Sequence, residues 1–259
     1  MQALGASGAL HMGAKFLRAH YEPYLSRAES KVYIPLETWT NHPNVFQSVG
    51  FTTASLPWYN EERRAFDLTL FQSEIVKIPS QSIVVLQISA NNPTGCDPSV
   101  DEWRQIALTF KSCGHFAFLD LAYPGFVSGC FVTDALPLRI FVDTGVPLAT
   151  ATTYGKAFGL YGERVGHLCF TLPDAHTAQR AEQQMKLLAR AETGAQPRFG
   201  AALVALILGN KELKACWEKD IRRLAQDLDS RRKNLKESLV RAGAPGNWDF
   251  ITNQRGMFT

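Results

Sequence analysis

Apolar and polar positions follow two rhythms along this chain. Continuous apolar runs, of the kind buried on both faces of a parallel sheet, occur at Ile83 to Ser89, Phe116 to Leu119 and Pro147 to Thr152. Between them lie stretches with an apolar residue every three or four positions, the period of a helix packed by one face. Ser7 to about Tyr21 has that period, Val32 to Leu36 predicts a short strand, and His167 to Thr171 predicts another. Ser99 with Glu102 makes a capping-box pair opening a helix that carries Trp103, Ile106, Ala107 and Phe110 on one side, and Gly114 closes it. Strands alternating with helices predict an α/β fold with a mostly parallel sheet.

After Leu172 the strand-like runs stop. Ala175 to Ala191 and Glu212 to Ala242 are long helical patterns, the second amphipathic, charged on its outer face and ended by Gly243 and Pro245. The expected division is a large sheet domain over residues 1–210, then a linking helix and the start of a smaller lobe over 211–259.

Composition narrows the function. With 259 residues, 46% of them hydrophobic and 20% charged, the chain has the make-up of a globular protein rather than a disordered or fibrous one. Its net charge of +3, with acids and bases interspersed, gives neither a nucleic-acid footprint nor a membrane-binding face, so small molecules or another copy are the expected partners. Cys96, Cys113, Cys130, Cys169 and Cys216 form no CxxC pair; the expectation is buried free thiols, not a disulfide framework or a zinc site. Met1 to Gly8 lacks the basic and apolar regions of a signal peptide, so a cytoplasmic location is expected.

Ligands of open α/β sheets gather beyond the C-terminal strand ends, where helix N-termini also point. Gly5-Ala6-Ser7-Gly8 precedes a helix, so its backbone N–H groups and the Ser7 hydroxyl can cradle a phosphate, although a plain helix start reads the same way. Asp120 ends an apolar strand, where a carboxylate is costly unless it meets a cation or caps a turn. Tyr123 follows it closely enough to reach the same pocket. Lys156 lies in a small-residue turn after a strand, with Thr153 before it and Arg164 after it. A buried amine beside a guanidinium loses its proton readily and becomes nucleophilic towards a carbonyl.

These pieces occur in the order and local wording of the aspartate aminotransferases, the fold-type I enzymes that use pyridoxal 5′-phosphate. The specific stretches are Thr38-Trp39-Thr40-Asn41-His42, Asn91-Asn92-Pro93-Thr94-Gly95, Phe118-Leu119-Asp120 with Ala122-Tyr123, and Lys156 through Phe158-Gly159-Leu160-Tyr161 to Arg164-Val165-Gly166. The chain therefore resembles that family from Gly5 to Thr259. The resemblance implies a three-layer α/β/α large domain and a homodimer. It also implies that Lys156 forms the Schiff base, that Gly5, Ala6, Ser7, Thr153 and Arg164 hold the phosphate, and that Trp39 stacks on the ring. Asn92 and Tyr123 match the partners of the phenolic oxygen, Asp120 the partner of the pyridine nitrogen, and His42 the imidazole that orients Asp120. On the substrate side, Trp39 and Asn92 line the amino acid, and Arg190 matches the arginine that reads a distal carboxylate across the dimer interface.

Several positions depart from the pattern. Gly155 replaces a hydroxyl residue near the lysine, Gln87 stands where a histidine is frequent, and Gly194-Ala195-Gln196-Pro197 replaces Ser-Asn-Pro-Pro, which leaves Arg198 as a second candidate beside Arg190. Family members also begin earlier and end later, in segments that hold a phosphate-binding tyrosine and the arginine for the substrate's α-carboxylate. The expected activity is amino-group exchange between a dicarboxylic amino acid and a 2-oxo acid. Two alternatives stay open: a paralogue that has lost turnover, and an enzyme using the same cofactor for another reaction.

Overall fold

The structure, a computed structural model, describes residues 1–256; the last part of the expected second lobe, 257–259, lies outside the described residues. In chain order the strands are β1 (Gln2–Leu4), β2 (Val32–Pro35), β3 (Thr53–Leu56), β4 (Tyr59–Asn60), β5 (Ala65–Phe66), β6 (Ile83–Gln87), β7 (Phe116–Leu121), β8 (Leu148–Thr153) and β9 (Val165–Phe170). The helices are α1 (Gly5–His20), α2 (Glu22–Leu25), α3 (Asn41–Ser48), α4 (Leu68–Ile75), α5 (Val100–Cys113), α6 (Phe131–Asp134), α7 (Leu136–Thr144), α8 (Ala175–Thr193), α9 (Phe199–Gly209), α10 (Lys211–Arg241) and α11 (Asp249–Asn253).

Seven strands form one sheet in the order β1-β9-β8-β7-β6-β2-β3. From β8 to β3 all neighbours are parallel, while β9 runs antiparallel to β8, and β1 antiparallel to β9. Every residue of β6, β7 and β8 is buried, as the continuous apolar runs require.

Successive side chains of these strands enter opposite cores. Val84, Leu86, Ala117 and Leu119 pack against Trp58, Phe71, Ile106, Phe110 and Phe141 on one face. Val85, Phe118, Ala149 and Ala151 pack against Leu10, Leu17 and Phe46 on the other. The result is the α/β/α sandwich that the sequence predicts. Helix α1 sits close to its face because Gly13 has no side chain; a Cβ there would lie 2.5 Å from Phe118 Cζ.

The capping box forms as read: Ser99 Oγ accepts from the Glu102 N–H, and Glu102 Oε2 accepts from the Ser99 N–H at 2.7 Å. Gly114 ends α5 at φ +68°, and α10 stops two residues before Gly243, at φ +66°. The long helix α10 returns to the sheet domain, where Ile221 packs with Tyr123, Phe126 and Ala157.

Three readings need correction. Strand β7 continues to Leu121, so Asp120 lies within the sheet, opposite Gln87 and Ala151, and not at the strand's end. Strand β9 is antiparallel and begins at Val165, before the predicted His167. The cysteines are all free, but only Cys96 is buried; Cys130 is exposed in the loop before α6, and Cys169 and Cys216 are exposed on β9 and α10. Among the described residues no helix is long and apolar enough to cross a membrane.

Candidate active site

The C-terminal ends of β6, β7 and β8 meet around Asp120, which is 2% exposed. Its Oδ2 lies 3.0 Å from Nε2 of His42, a fully buried residue in the first turn of α3. His42 Nδ1 lies 2.7 Å from Thr38 Oγ1, and the Trp39 indole stands edge-on to the imidazole at 5.4 Å. Asp120 Oδ1 is buried with no hydrogen-bond partner among the described residues. A carboxylate oxygen stripped of water and left unbonded is costly, so this atom requires a donor from a bound group.

Strand β8 ends at Thr153 and turns into the Lys156 segment. Lys156 Nζ lies 3.3 Å from the centre of the Tyr123 ring. Burial lowers the Lys156 amine from its ordinary value to about 8, with Asp120 opposing and Arg164 reinforcing the shift. Burial, aided by Tyr161 and Asp120, pushes the Tyr123 hydroxyl up to about 12. The turn is held from behind by Trp217, whose Nε1 donates to the Ala157 carbonyl at 2.8 Å and whose ring stacks on Phe158 at 4.6 Å.

A third group closes the site. Strand β1 passes directly into α1, and no side chain caps that helix, so its first-turn N–H groups after Gly5 are available to an anion. The Gly5 N–H donates to the Arg164 carbonyl at 2.9 Å, and a Cβ on Gly5 would sit 2.6 Å from Arg164 Nη2. The Arg164 guanidinium is therefore laid across the start of the helix. Thr153 pairs with Gly166 between β8 and β9, and a Cβ on Gly166 would strike the Gly5 backbone. Thr153, Arg164 and Gly5 thus converge on one helix N-terminus. Lys156 feels the charges of both Asp120 and Arg164, which joins this anion cup to the buried carboxylate.

Asn92 sits in the turn after β6, with its N–H on Gln87 Oε1 at 3.1 Å. The same oxygen accepts from Asn91 Nδ2 at 3.0 Å, and the Asn92–Pro93 peptide is cis. An amine that burial lowers to about 8, a cup for a dianion and a carboxylate oxygen awaiting a donor suit a flat, phosphorylated, N-protonated heterocycle bearing a carbonyl.

The sequence profile of the family described as Aminotransferase class I and II matches residues 9–259. The chain belongs to that family. Aminotransferases of this class are pyridoxal 5′-phosphate enzymes, and the site fits that group on its own geometry. Aspartate aminotransferase 3, chloroplastic, of Arabidopsis thaliana is 38% identical over all 259 residues, which span 56% of that protein. The aromatic-amino-acid aminotransferase of Burkholderia pseudomallei, solved covalently bound to pyridoxal phosphate, superposes with a TM-score of 0.94 at 33% identity over 99% of this chain and 63% of its own. The aspartate aminotransferase from Saccharomyces cerevisiae cytoplasm superposes at 0.91 with 37% identity over 99% and 63%. The chain thus spans less than two thirds of each of these relatives.

In this member of the family the predicted residues divide into two groups. Gly5, Ala6 and Ser7 lie in the first turn of α1 and His42 in that of α3, Asp120 and Thr153 lie on β7 and β8, and Trp39, Asn92, Tyr123, Lys156 and Arg164 lie on the loops between elements. Arg190 is exposed in the last turn of α8, its Nη1 on the Gly194 carbonyl at 3.3 Å, and no contact among the described residues joins it to Lys156. Arg198 is likewise exposed, before α9. The sequence reading assigned no role to Thr38, whose signal was its place one helical turn before His42. Gln87, read as a minor change, anchors the Asn92 turn. Trp217 carried no local signal, because its contact with Ala157 crosses from α10.

Proposed function

We propose that this chain is the cofactor-binding lobe, residues 1–210, and the start of the second lobe, 211–259, of a pyridoxal 5′-phosphate-dependent transaminase. Its substrates are a dicarboxylic amino acid and a 2-oxo acid. The observation that carries this reading is the unpartnered, buried Oδ1 of Asp120, a carboxylate whose charge acts on the depressed Lys156 amine.

When bound, pyridoxal 5′-phosphate supplies a carbonyl that condenses with amines and a ring that accepts electrons. The first turn of α1 at Gly5, Ala6 and Ser7, with Thr153 and Arg164, would hold its phosphate by N–H groups, hydroxyls and a guanidinium. Trp39 would cover the ring face, and Asn92 and Tyr123 would donate to the phenolic oxygen. Asp120, braced by His42, keeps a proton on the ring nitrogen. Lys156, neutral once it loses a proton near its value of about 8, is the base that takes the proton from the α-carbon of a bound amino acid.

The substrate and the assembly rest on the exposed elements. Arg190 is the residue proposed to read a distal carboxylate from a neighbouring copy, as a bidentate guanidinium does. A homodimer is supported by α9, where Phe199 and Leu206 are 68% and 59% exposed, a strip of apolar surface that a second copy would cover.

Loading purified protein with the cofactor is expected to produce a visible absorption band that Lys156→Ala abolishes. Aspartate should bleach the band and 2-oxoglutarate should restore it. A band that survives Lys156→Ala, or no band at all, overturns the reading. Bleaching by phenylalanine alone would replace the dicarboxylic substrate with an aromatic one.

A further inference from the structure

Two carboxylates outside the set above bind backbone amides of the turns that present Asn92 and Tyr123. Asp97 Oδ2 accepts from the Ala90 N–H at 2.6 Å, and its Oδ1 accepts from the Asn91 N–H at 2.9 Å. Asp134, 7% exposed, accepts from the Gly125 N–H at 2.7 Å, the Val127 N–H at 3.0 Å and the Ser128 N–H at 3.0 Å. The first pair of amides runs up to Asn92, and the second group begins two residues after Tyr123.

The first of these turns has a conformation that its residues do not choose alone, and the second has one open only to glycine. Ser89 and Ala90 have φ of 75° and 56°, a region that costs a non-glycine residue roughly 1–2 kcal/mol and persists only where the surroundings enforce it. Gly125 has φ +93°, and a Cβ there would lie 2.6 Å from Ile221 Cγ2. A carboxylate that accepts two or three N–H groups is the strong, short kind of hydrogen bond able to enforce such shapes.

The two carboxylates also act on each other through their charges. Burial pushes the Asp97 carboxyl up, its bonds from Asn91 and Ala90 pull it down, and the Asp134 charge adds to the rise. Keeping two like charges partly desolvated is costly in stability, so each needs the N–H groups it binds. The far end of the Asn92 turn is tied as well, because the Gly95 carbonyl accepts from the Arg255 N–H at 2.7 Å.

We propose that Asp97 and Asp134 are a pair of positioning residues, each fixing through backbone N–H groups the turn that presents one of the two donors, Asn92 and Tyr123, to the cofactor's phenolic oxygen. The inference rests on the cofactor assignment made above. Hydrogen bonds to that oxygen favour its charged form, so loosening either turn raises the pH at which the visible band of the loaded protein titrates.

The test uses cofactor-loaded protein with the near-isosteric variants Asp97→Asn and Asp134→Asn. Each is expected to move the titration midpoint upward by roughly half to one pH unit, the loss of part of one hydrogen bond. The Asp97→Asn shift should vanish in an Asn92→Ala background, and the Asp134→Asn shift in a Tyr123→Phe background. Wild-type midpoints in both single variants, even with a lowered melting temperature, overturn the proposal, as does a shift that persists in those backgrounds. A wild-type protein without a Lys156-dependent band sinks the proposed function separately. Amide exchange then still decides the clamp: Asp97→Ala and Asp134→Ala should speed exchange at Ala90, Asn91 and Gly125 by about tenfold or more, and wild-type rates there overturn it.

Discussion

His42 Nε2 stands 3.0 Å from Asp120 Oδ2, and both side chains are sealed from water. A carboxylate oxygen only accepts, so Nε2 carries the hydrogen, while Nδ1 meets the Thr38 hydroxyl. One imidazole thus leaves the second Asp120 oxygen without a partner among the described residues. His42→Asn is expected to keep the fold and to weaken cofactor binding by about tenfold, the worth of one charge-assisted hydrogen bond. Titrating apo-protein with pyridoxal 5′-phosphate while following tryptophan fluorescence measures this; unchanged affinity would show that His42 does not orient Asp120.

Gly5 and Gly166 press on each other, and their substitutions should differ in kind. At Gly5 an added Cβ meets the mobile end of Arg164, 2.6 Å away, at a φ of +67°. Gly5→Ala should therefore cost about 1 kcal/mol of stability and displace the guanidinium, lowering cofactor affinity more than melting temperature. At Gly166 the Cβ strikes Gly5 backbone, which has nowhere to go. Gly166→Ala should lower both together, by upwards of about 2 kcal/mol in stability. Equal effects in thermal melts and phosphate-dependent binding would contradict this division.

How much of this was legible beforehand differs by element. The strands β6, β7 and β8 and the helix α5 announced themselves, since full burial writes a continuous apolar run and the Ser99–Glu102 pair marks a helix start. Strand β1, with three residues, and the two-residue β4 and β5 are too short to show a period. Helix α9 is apolar all round and reads as no face at all. The turns carrying Lys156, Asp120 and Asn92 were visible as punctuation after strands. What brings them together was not, because Lys156 over Tyr123 and Gly5 beneath Arg164 are contacts across the sheet that only strand order determines. Asp97 and Asp134 bind backbone, which leaves no mark on the sequence beyond an acidic residue in or near a turn.

Gly13 offers a test of the packing that carries the anion cup. Replacing it with alanine gains up to about 1 kcal/mol of helix propensity, but overpacking a filled core costs about 1–3 kcal/mol. The added Cβ would lie 2.5 Å from Phe118 Cζ and 3.1 Å from Leu168 Cδ1, and both of those residues are buried and unable to swing aside. Overpacking wins, so Gly13→Ala is expected to be destabilised by roughly 1–2 kcal/mol in urea unfolding. Gly209, with nothing within 4 Å of its added Cβ, is the control: Gly209→Ala should be neutral or slightly stabilised.

Lys156 also makes apo-protein stability depend on pH in a predictable direction. Its folded value of about 8 lies below the ordinary value of 10.5, so between those pH values the unfolded chain binds more protons than the folded one. Stability then rises with pH across that window, and below about pH 8 the folded state bears the full cost of an ammonium drawn partly out of water. Lys156→Met removes the cost, and the apo variant should exceed wild type by roughly 1–2 kcal/mol at pH 7, after allowing for solvent screening. The advantage should shrink steadily and disappear above about pH 10. Urea unfolding of both proteins at pH 7 and pH 10 measures the difference. A gain of the same size at both values would assign it to packing of the methionine, and the Lys156 amine would then titrate no differently from one on the surface.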